Sequence, residues 1–516
     1  MNPTPRANLF WLVVLAMGWA AYGLVGRDAW KGEEALALAP ILDWLDGRTG
    51  AWTTPAPLYT LVAGILAKAF SGHGDLQDGA RLASGAFTLL ALLFTGIGAR
   101  ALFGPGFGAA AVLSLMGGLG LMLRAHALLP ETALLAAWAA LLYGVSIARD
   151  HVRRGGITIG LALAGLTLGL RGAPDLAAGG LLLLLPLGSR QWQSREYRQA
   201  ALLGAALAAA LILALLSWLW STGLFGGWLA GHGPGRYWPV RPLADVYAEL
   251  PWFAWPLWPL AAWAVWHSHR RLTRTPELHP PLLALALLLL AGLFPAWSRD
   301  GALLPVLLPL ALLSAFAVEH LRRGAAQAFY WFGVLCFLFF VVAFWIYFAA
   351  IEWGLPAKLA AHVARLTPGY QPGGVESGAV LLAAAATLVW LIAIPLFPRA
   401  KTRPVLVWAT GMILTWVLLS SLFRPWVEAG WAYRPLIVDM ARHLPEGACL
   451  KSRVDPAMAV MLRYHLALPE RPDCPWTLRL VGRKTARAGG EAVVVWEGYR
   501  PRYKAQLYRL EKHGQN

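Results

Sequence analysis

Two acidic residues side by side, Glu33 and Glu34, follow the first apolar stretch of the chain, with Lys31 just before them. Farther along, Arg124, His126 and Glu131 fall between two apolar runs, and so do Arg171 and Asp175 and, later, Arg299 and Asp300. Arg81 opens another run. Read as chemistry, Glu33, Glu34 and Glu131 are candidate general bases, able to take a proton from a hydroxyl. Arg81, Arg171, Arg299, Arg124 and Lys31 are candidate ligands for a phosphate, which arginine grips with two parallel hydrogen bonds. Carboxylates and arginines together at a membrane surface suit transfer of a group from a lipid phosphate, with the basic charge stabilising the departing phosphate. Each arginine has a plainer alternative, a local pair with a carboxylate or a reach to lipid head groups. Glu34 likewise reads as a solvated helix residue, and Asp43 and Asp46 as facing water.

The elements that must position these residues are membrane helices. Hydrophobic residues make up 58% of the 516 and charged residues only 14%, whereas soluble domains carry about 25% charged residues. Soluble, disordered and collagen-like classes are excluded. A span needs about 20 apolar residues. The runs at 8–26, 81–103, 106–123, 127–148, 157–171, 174–188, 200–222, 251–267, 281–297, 301–320, 326–350, 378–397 and 405–423 make thirteen expected spans.

The net charge of +17 is not a nucleic-acid signature, because the basic residues cluster in short loops. Arg149, Arg153 and Arg154 share one loop; Arg190, Arg195 and Arg198 the next. Arg270, Arg271 and Arg274, then Arg322 and Arg323, then Arg399, Lys401 and Arg403 follow. With thirteen spans all five clusters fall on one side, as cytoplasmic loops require. The N-terminus is then cytoplasmic and the C-terminus outside. The 57–70 run is too short to span and is placed as a helix on the outer surface, inside a long first outer loop at 27–79. Many of the 27 tryptophans, Trp30, Trp52, Trp238, Trp252, Trp255 and Trp258 among them, suit the interfacial aromatic belt.

After about 424 the apolar runs stop. Residues 434–444 and 455–466 read as helices, and 476–482, 491–496 and 504–510 as strands. The expected organisation is therefore a transmembrane domain over 1–423 and a small α/β extracytoplasmic domain over 424–516. Cys449 and Cys474 both lie in that outer tail, whereas Cys336 lies in an apolar run. An oxidising compartment permits a disulfide between the first two. No metal-type spacing of cysteine or histidine occurs, so no cofactor is named and a divalent metal stays open.

In their order these residues resemble the GT-C membrane glycosyltransferases, the lipid A aminoarabinose transferase-like and protein O-mannosyltransferase-like families in particular. The family's Gly-Asp-Glu-Ala opening of the first outer loop is here Gly32, Glu33, Glu34 and Ala35. Its Lys-Pro-Pro-Leu-Tyr-Tyr motif becomes Pro55 to Thr60, with Tyr59 matching a tyrosine. An Arg-Leu-Pro to Leu-Phe-Gly pattern runs from Arg81 and Leu82 to Leu102, Phe103 and Gly104. Its Arg-x-Ala-x-Pro-Asp element looks like Arg124 followed by Pro130 and Glu131, and its Leu-Thr-Lys-Gly-Pro element like Gly169 to Gly172. Its Lys-Arg-x-x-Tyr-Leu-Leu-Pro element looks like Ser298 to Pro305, with Ala302 in place of the tyrosine. Arg434, Pro435 and Leu436, with Leu444 and Pro445, resemble the start of its outer soluble domain.

The resemblance implies a GT-C-like fold and an inverting transfer from a polyprenyl-phosphate sugar to a lipid or glycan acceptor, at the outer face of a bacterial-type inner membrane. Glu33 would be the base. Tyr59 and His126 are placed on the acceptor or sugar side. The expected partners are the lipid-linked donor, the acceptor and membrane lipids, with no nucleic acid. A protein hydroxyl as acceptor is the alternative within enzymes. A lipid or glycolipid transporter is the alternative of another class, and it would need a charged path through the membrane centre rather than charges at one face.

Overall fold

A computed structural model describes residues 5–233, 242–294, 299–466, 474–482 and 493–513. Of the expected belt tryptophans, Trp238 lies outside the described residues. The structure is helical except for one small sheet. Each expected span overlaps at least one helix, and the end of the 281–297 run, residues 295–297, lies outside the described residues. Six described helices are long and apolar enough to cross a membrane: Leu76–Phe103, Arg195–Ser221, Gly301–His320, Arg323–Glu352, Ser377–Leu396 and Arg403–Leu422. Two of these, Arg195–Ser221 and Ser377–Leu396, carry mostly unburied apolar surface, including Leu202, Leu213, Leu381 and Val389. Water would penalise such faces and hydrocarbon does not. The chain is a multi-pass membrane protein.

The chain divides into two compact units. The first comprises Met1–Val25, Pro40–Leu338 and Leu388–Trp416. Its helices pack through small residues, as membrane helices do when lipid removes the usual hydrophobic drive. Gly156 and Gly160, on one face of the Val152–Thr167 helix, admit Leu203 and Leu207 of the Arg195–Ser221 helix; a Cβ at either would overlap them. The Pro57–Phe70 helix has the extent expected for the 57–70 run, and buries Tyr59, Thr60, Ala63 and Ala67. The Leu76–Phe103 helix starts five residues before the expected span, because its first turn is made by polar residues, Gln77 and Asp78 among them. Arg81 therefore lies inside a helix rather than at its opening.

The second unit comprises Gly26–Ala39, Phe339–Thr387 and Val417–Asn516. Its sheet has the order β1-β2-β4-β3, where β1 is Lys451–Arg453, β2 Trp476–Gly482, β3 Val493–Gly498 and β4 Gln506–Lys512. β1 and β2 are parallel, and the other pairings are antiparallel. The helices Arg434–Ala441 and Pro456–Leu466 match the two expected there. The Trp496 indole donates to Asp439 (2.9 Å), and the Tyr508 hydroxyl to Asp455 (2.6 Å). Cys449 and Cys474 are joined by a disulfide, with Cα atoms 5.7 Å apart.

Candidate functional site

In the first unit the arginines are built into the protein. The Arg171 guanidinium donates to Asp175 from Nε (2.6 Å) and Nη2 (2.9 Å), and from Nη1 to the Ala302 carbonyl (3.1 Å). The Trp138 indole donates to the same Asp175 carboxylate (2.8 Å). Both members of the ion pair are fully enclosed, at 0% side-chain exposure. Arg81, equally enclosed, donates to Asp78 (2.8 Å) and to the Leu24 carbonyl (2.9 Å). The local-pair reading thus describes Arg81 and Arg171 as placed here, and a phosphate contact does not, because neither guanidinium has surface to offer.

Arg124 ends the short Leu119–Arg124 helix and is nearly buried. Glu131 is the first residue of the Glu131–Ile147 helix, where the helix dipole favours a carboxylate. It is fully buried against Gly301, where a Cβ would overlap its carboxylate. Glu131 and Arg171 therefore both bear on the short Arg299–Leu303 helix, through Gly301 and Ala302 respectively. Arg299 begins that helix; its side chain and that of Asp300 lie outside the described residues.

Tyr59 and His126, expected on the acceptor side, are interior struts. The Tyr59 hydroxyl is 2.8 Å from Ser84 Oγ, which also accepts the Leu129 amide (3.3 Å). His126 is fully buried, with Nδ1 2.7 Å from the Met122 carbonyl and Nε2 2.7 Å from the Trp19 carbonyl. Its ring stacks on Trp416 (4.1 Å between centroids), whose indole donates to the Tyr22 carbonyl (2.7 Å). Their polar atoms are spent on the protein, which removes both from contact with a sugar.

In the second unit the segment after the first helix is laced together. Glu34 is buried rather than solvated. It accepts Arg27 Nη2 (2.7 Å), Arg27 Nη1 (3.0 Å) and the Trp30 amide (3.1 Å). Arg27 also lies over the Trp30 ring (4.5 Å). Asp28 Oδ2 accepts the amides of Tyr433 (2.9 Å) and Arg434 (2.8 Å), and Oδ1 faces His465 Nε2 (3.3 Å). Burial pushes the Asp28 carboxyl up, but His465 and the Arg434 amide outweigh it and hold the group below its usual value. Burial instead pushes Glu428 above its usual value, with Arg424 opposing. Lys31 and Glu33 are half-buried, and Gly32 between them packs beside Ala457 and Tyr433. Asp43 is half-buried and Asp46 exposed. Among the described residues, no three His, Cys, Asp or Glu side chains gather as metal ligands would.

Sequence reasoning missed Arg27, Asp28, His465 and Glu428. Only the nearness of Arg27 and Asp28 to Glu33 could have pointed to the first two.

No protein-family model matches the chain, and no curated protein matches it by sequence. Solved structures do match by shape. ArnT from Cupriavidus metallidurans in the apo state aligns with a TM-score of 0.67 at 15% identity, covering 99% of each chain. ArnT bound to undecaprenyl phosphate aligns at 0.64 and 14% identity, covering 99% of this chain and 100% of that one. The chain has the GT-C fold. The likeness extends from the first helix to the terminal sheet, so the small C-terminal sheet domain is part of it. A weaker likeness, TM-score 0.40 at 12% identity, links 89% of the chain to 63% of the archaeal oligosaccharyltransferase AglB from Archaeoglobus fulgidus.

Proposed function

We propose that this protein is a glycosyltransferase that moves a sugar from a polyprenyl phosphate to a lipid or glycan hydroxyl at the outer face of a bacterial inner membrane. The observation that carries the reading is the end-to-end likeness to ArnT, captured in one structure with undecaprenyl phosphate. It is joined by an adjacent carboxylate pair just after the first helix.

Glu33 is the base in this reading. Glu34 is committed to Arg27 and the Trp30 amide, and Glu33, half-buried beside it, is assigned the proton transfer. As the acceptor oxygen attacks the anomeric carbon, its proton passes to Glu33. The bond from that carbon to the phosphate oxygen breaks with inversion, and the electron pair leaves on the lipid phosphate. Lys31, Arg124 and Arg299 are assigned to the phosphate charge. Arg81 and Arg171 support the walls through Asp78 and Asp175. Glu131 acts by packing against Gly301 of the Arg299–Leu303 helix. The N-terminus is assigned to the cytoplasm, and the domain over 424–516 to the periplasm, where its disulfide is stable.

The test uses the purified chain in lipid nanodiscs with undecaprenyl phosphates carrying mannose, glucose, galactose or 4-amino-arabinose, and bacterial envelope lipids as acceptors. Release of undecaprenyl phosphate together with a glycosylated acceptor is expected. Glu33→Gln should lower turnover about 100-fold or more while leaving folding and donor binding intact. A wild-type chain that moves the donor across the bilayer unchanged would be a transporter, and full activity in Glu33→Gln would remove the mechanism.

A further inference from the structure

The stretch bearing Glu33 belongs to the same compact unit as the C-terminal domain, although some 400 residues separate them in sequence. Asp28 makes that connection. Its Oδ2 takes the amides of Tyr433 and Arg434, at the start of the Arg434–Ala441 helix, and its Oδ1 takes His465 of the Pro456–Leu466 helix. The first amides of a helix have no partner within it, so a carboxylate there satisfies an obligatory need and is favoured by the helix dipole. Two amide donors on one oxygen and an imidazole on the other leave the carboxylate a single orientation. From Asp28 the chain continues through Trp30, whose amide is bound to Glu34, and Gly32, packed beside Ala457 and Tyr433. The Arg27–Glu34 pair closes this short turn on itself.

We infer that Asp28 is a positioning residue for the transfer reaction, fastening the Glu33-bearing turn to the C-terminal domain so that the base is presented in one fixed place. The role rests on Glu33 being the base. The C-terminal domain then acts as a working part of the active site. Misplacing a reacting group by about 1 Å can cost about 100-fold in rate, so loosening this fastening should slow the chemistry more than it weakens substrate binding.

The experiment compares full-length wild type, Asp28→Ala, Asp28→Asn and His465→Ala in nanodiscs, by the same undecaprenyl phosphate release. Hydrogen–deuterium exchange of residues 26–39 is followed separately, without substrate. Asp28→Ala should lower kcat about 100-fold with KM for the lipid donor within about threefold, and should speed exchange across 26–39. Asp28→Asn should stay within about fivefold of wild type, because the amide oxygen still accepts the Tyr433 and Arg434 amides. His465→Ala, which keeps those two bonds, should show a smaller fall in kcat and the same KM; it replaces Asp28→Ala if that variant does not fold. An unchanged kcat and exchange in a folded Asp28→Ala, or Asn failing as badly as Ala, overturns the inference. If the wild type itself releases no undecaprenyl phosphate, the proposed function falls. Exchange then still decides the fastening: faster in Asp28→Ala supports it, unchanged removes it.

Discussion

Replacing Asp175 by alanine removes the counter-charge from a guanidinium that has no exposed surface. Arg171 gives Asp175 two hydrogen bonds, at 2.6 and 2.9 Å, and Trp138 gives it a third at 2.8 Å. With both side chains at 0% exposure, solvent cannot replace what is lost. Stranding one member of a buried pair costs about 3–5 kcal/mol, against about 0–1 kcal/mol for an exposed pair. The Trp138 bond lies inside that range rather than on top of it, because members of one network do not add. Reversible unfolding by SDS in mixed micelles, followed by tryptophan fluorescence, should show Asp175→Ala destabilised by this amount. Removing both charges with Arg171→Met and Asp175→Leu should recover at least half of the loss, since apolar replacement of a whole buried pair is often near neutral. The orphaned Ala302 carbonyl keeps the recovery incomplete. A single variant within about 1 kcal/mol of wild type, or a double variant no better than the single, would refute the enclosed-pair argument.

Glu34→Gln should cost stability, about 3–5 kcal/mol, because Arg27 is only 4% exposed and loses its charge partner; a variant as stable as wild type but inactive would instead make Glu34 the base. Glu428→Gln should stabilise the protein at pH 7. Burial raises the folded carboxyl above its usual 4.5, so the folded state's advantage is complete below pH 4.5 and is lost as pH rises through the folded value. The gain from glutamine should therefore shrink as pH falls toward 4.5, and a gain independent of pH would point to another cause. Thiol labelling of denatured, unreduced protein should find one reactive thiol, Cys336. Reduction should cost about 3 kcal/mol from the 25-residue separation of Cys449 and Cys474; three reactive thiols before reduction would contradict the bond.

What the sequence determined by itself is what depends on near neighbours along the chain. Apolar runs of membrane length became helices, because a backbone in lipid must satisfy its own polar groups and a helix does so locally. The alternation in 476–482 became β2, and 455–466 became the Pro456–Leu466 helix, for equally local reasons. The local-pair alternative for Arg81 and Arg171 was legible too, and the partners stand close in sequence, Asp78 three residues before Arg81 and Asp175 four residues after Arg171. Hydropathy misplaced the start of the Leu76–Phe103 helix because it registers apolar side chains, and the first turn of that helix carries Gln77 and Asp78. Tertiary structure decided burial and distant partners. Whether Arg171 meets a phosphate or is sealed away depends on Ala302, 131 residues on. His126 became a strut through Trp19, 107 residues earlier, and Asp28 meets His465 across 437 residues. A sequence displays which charges exist, but the cost or value of a charge depends on the dielectric and the partners around it. Those are properties of the packed chain, and no spacing rule along the sequence encodes them.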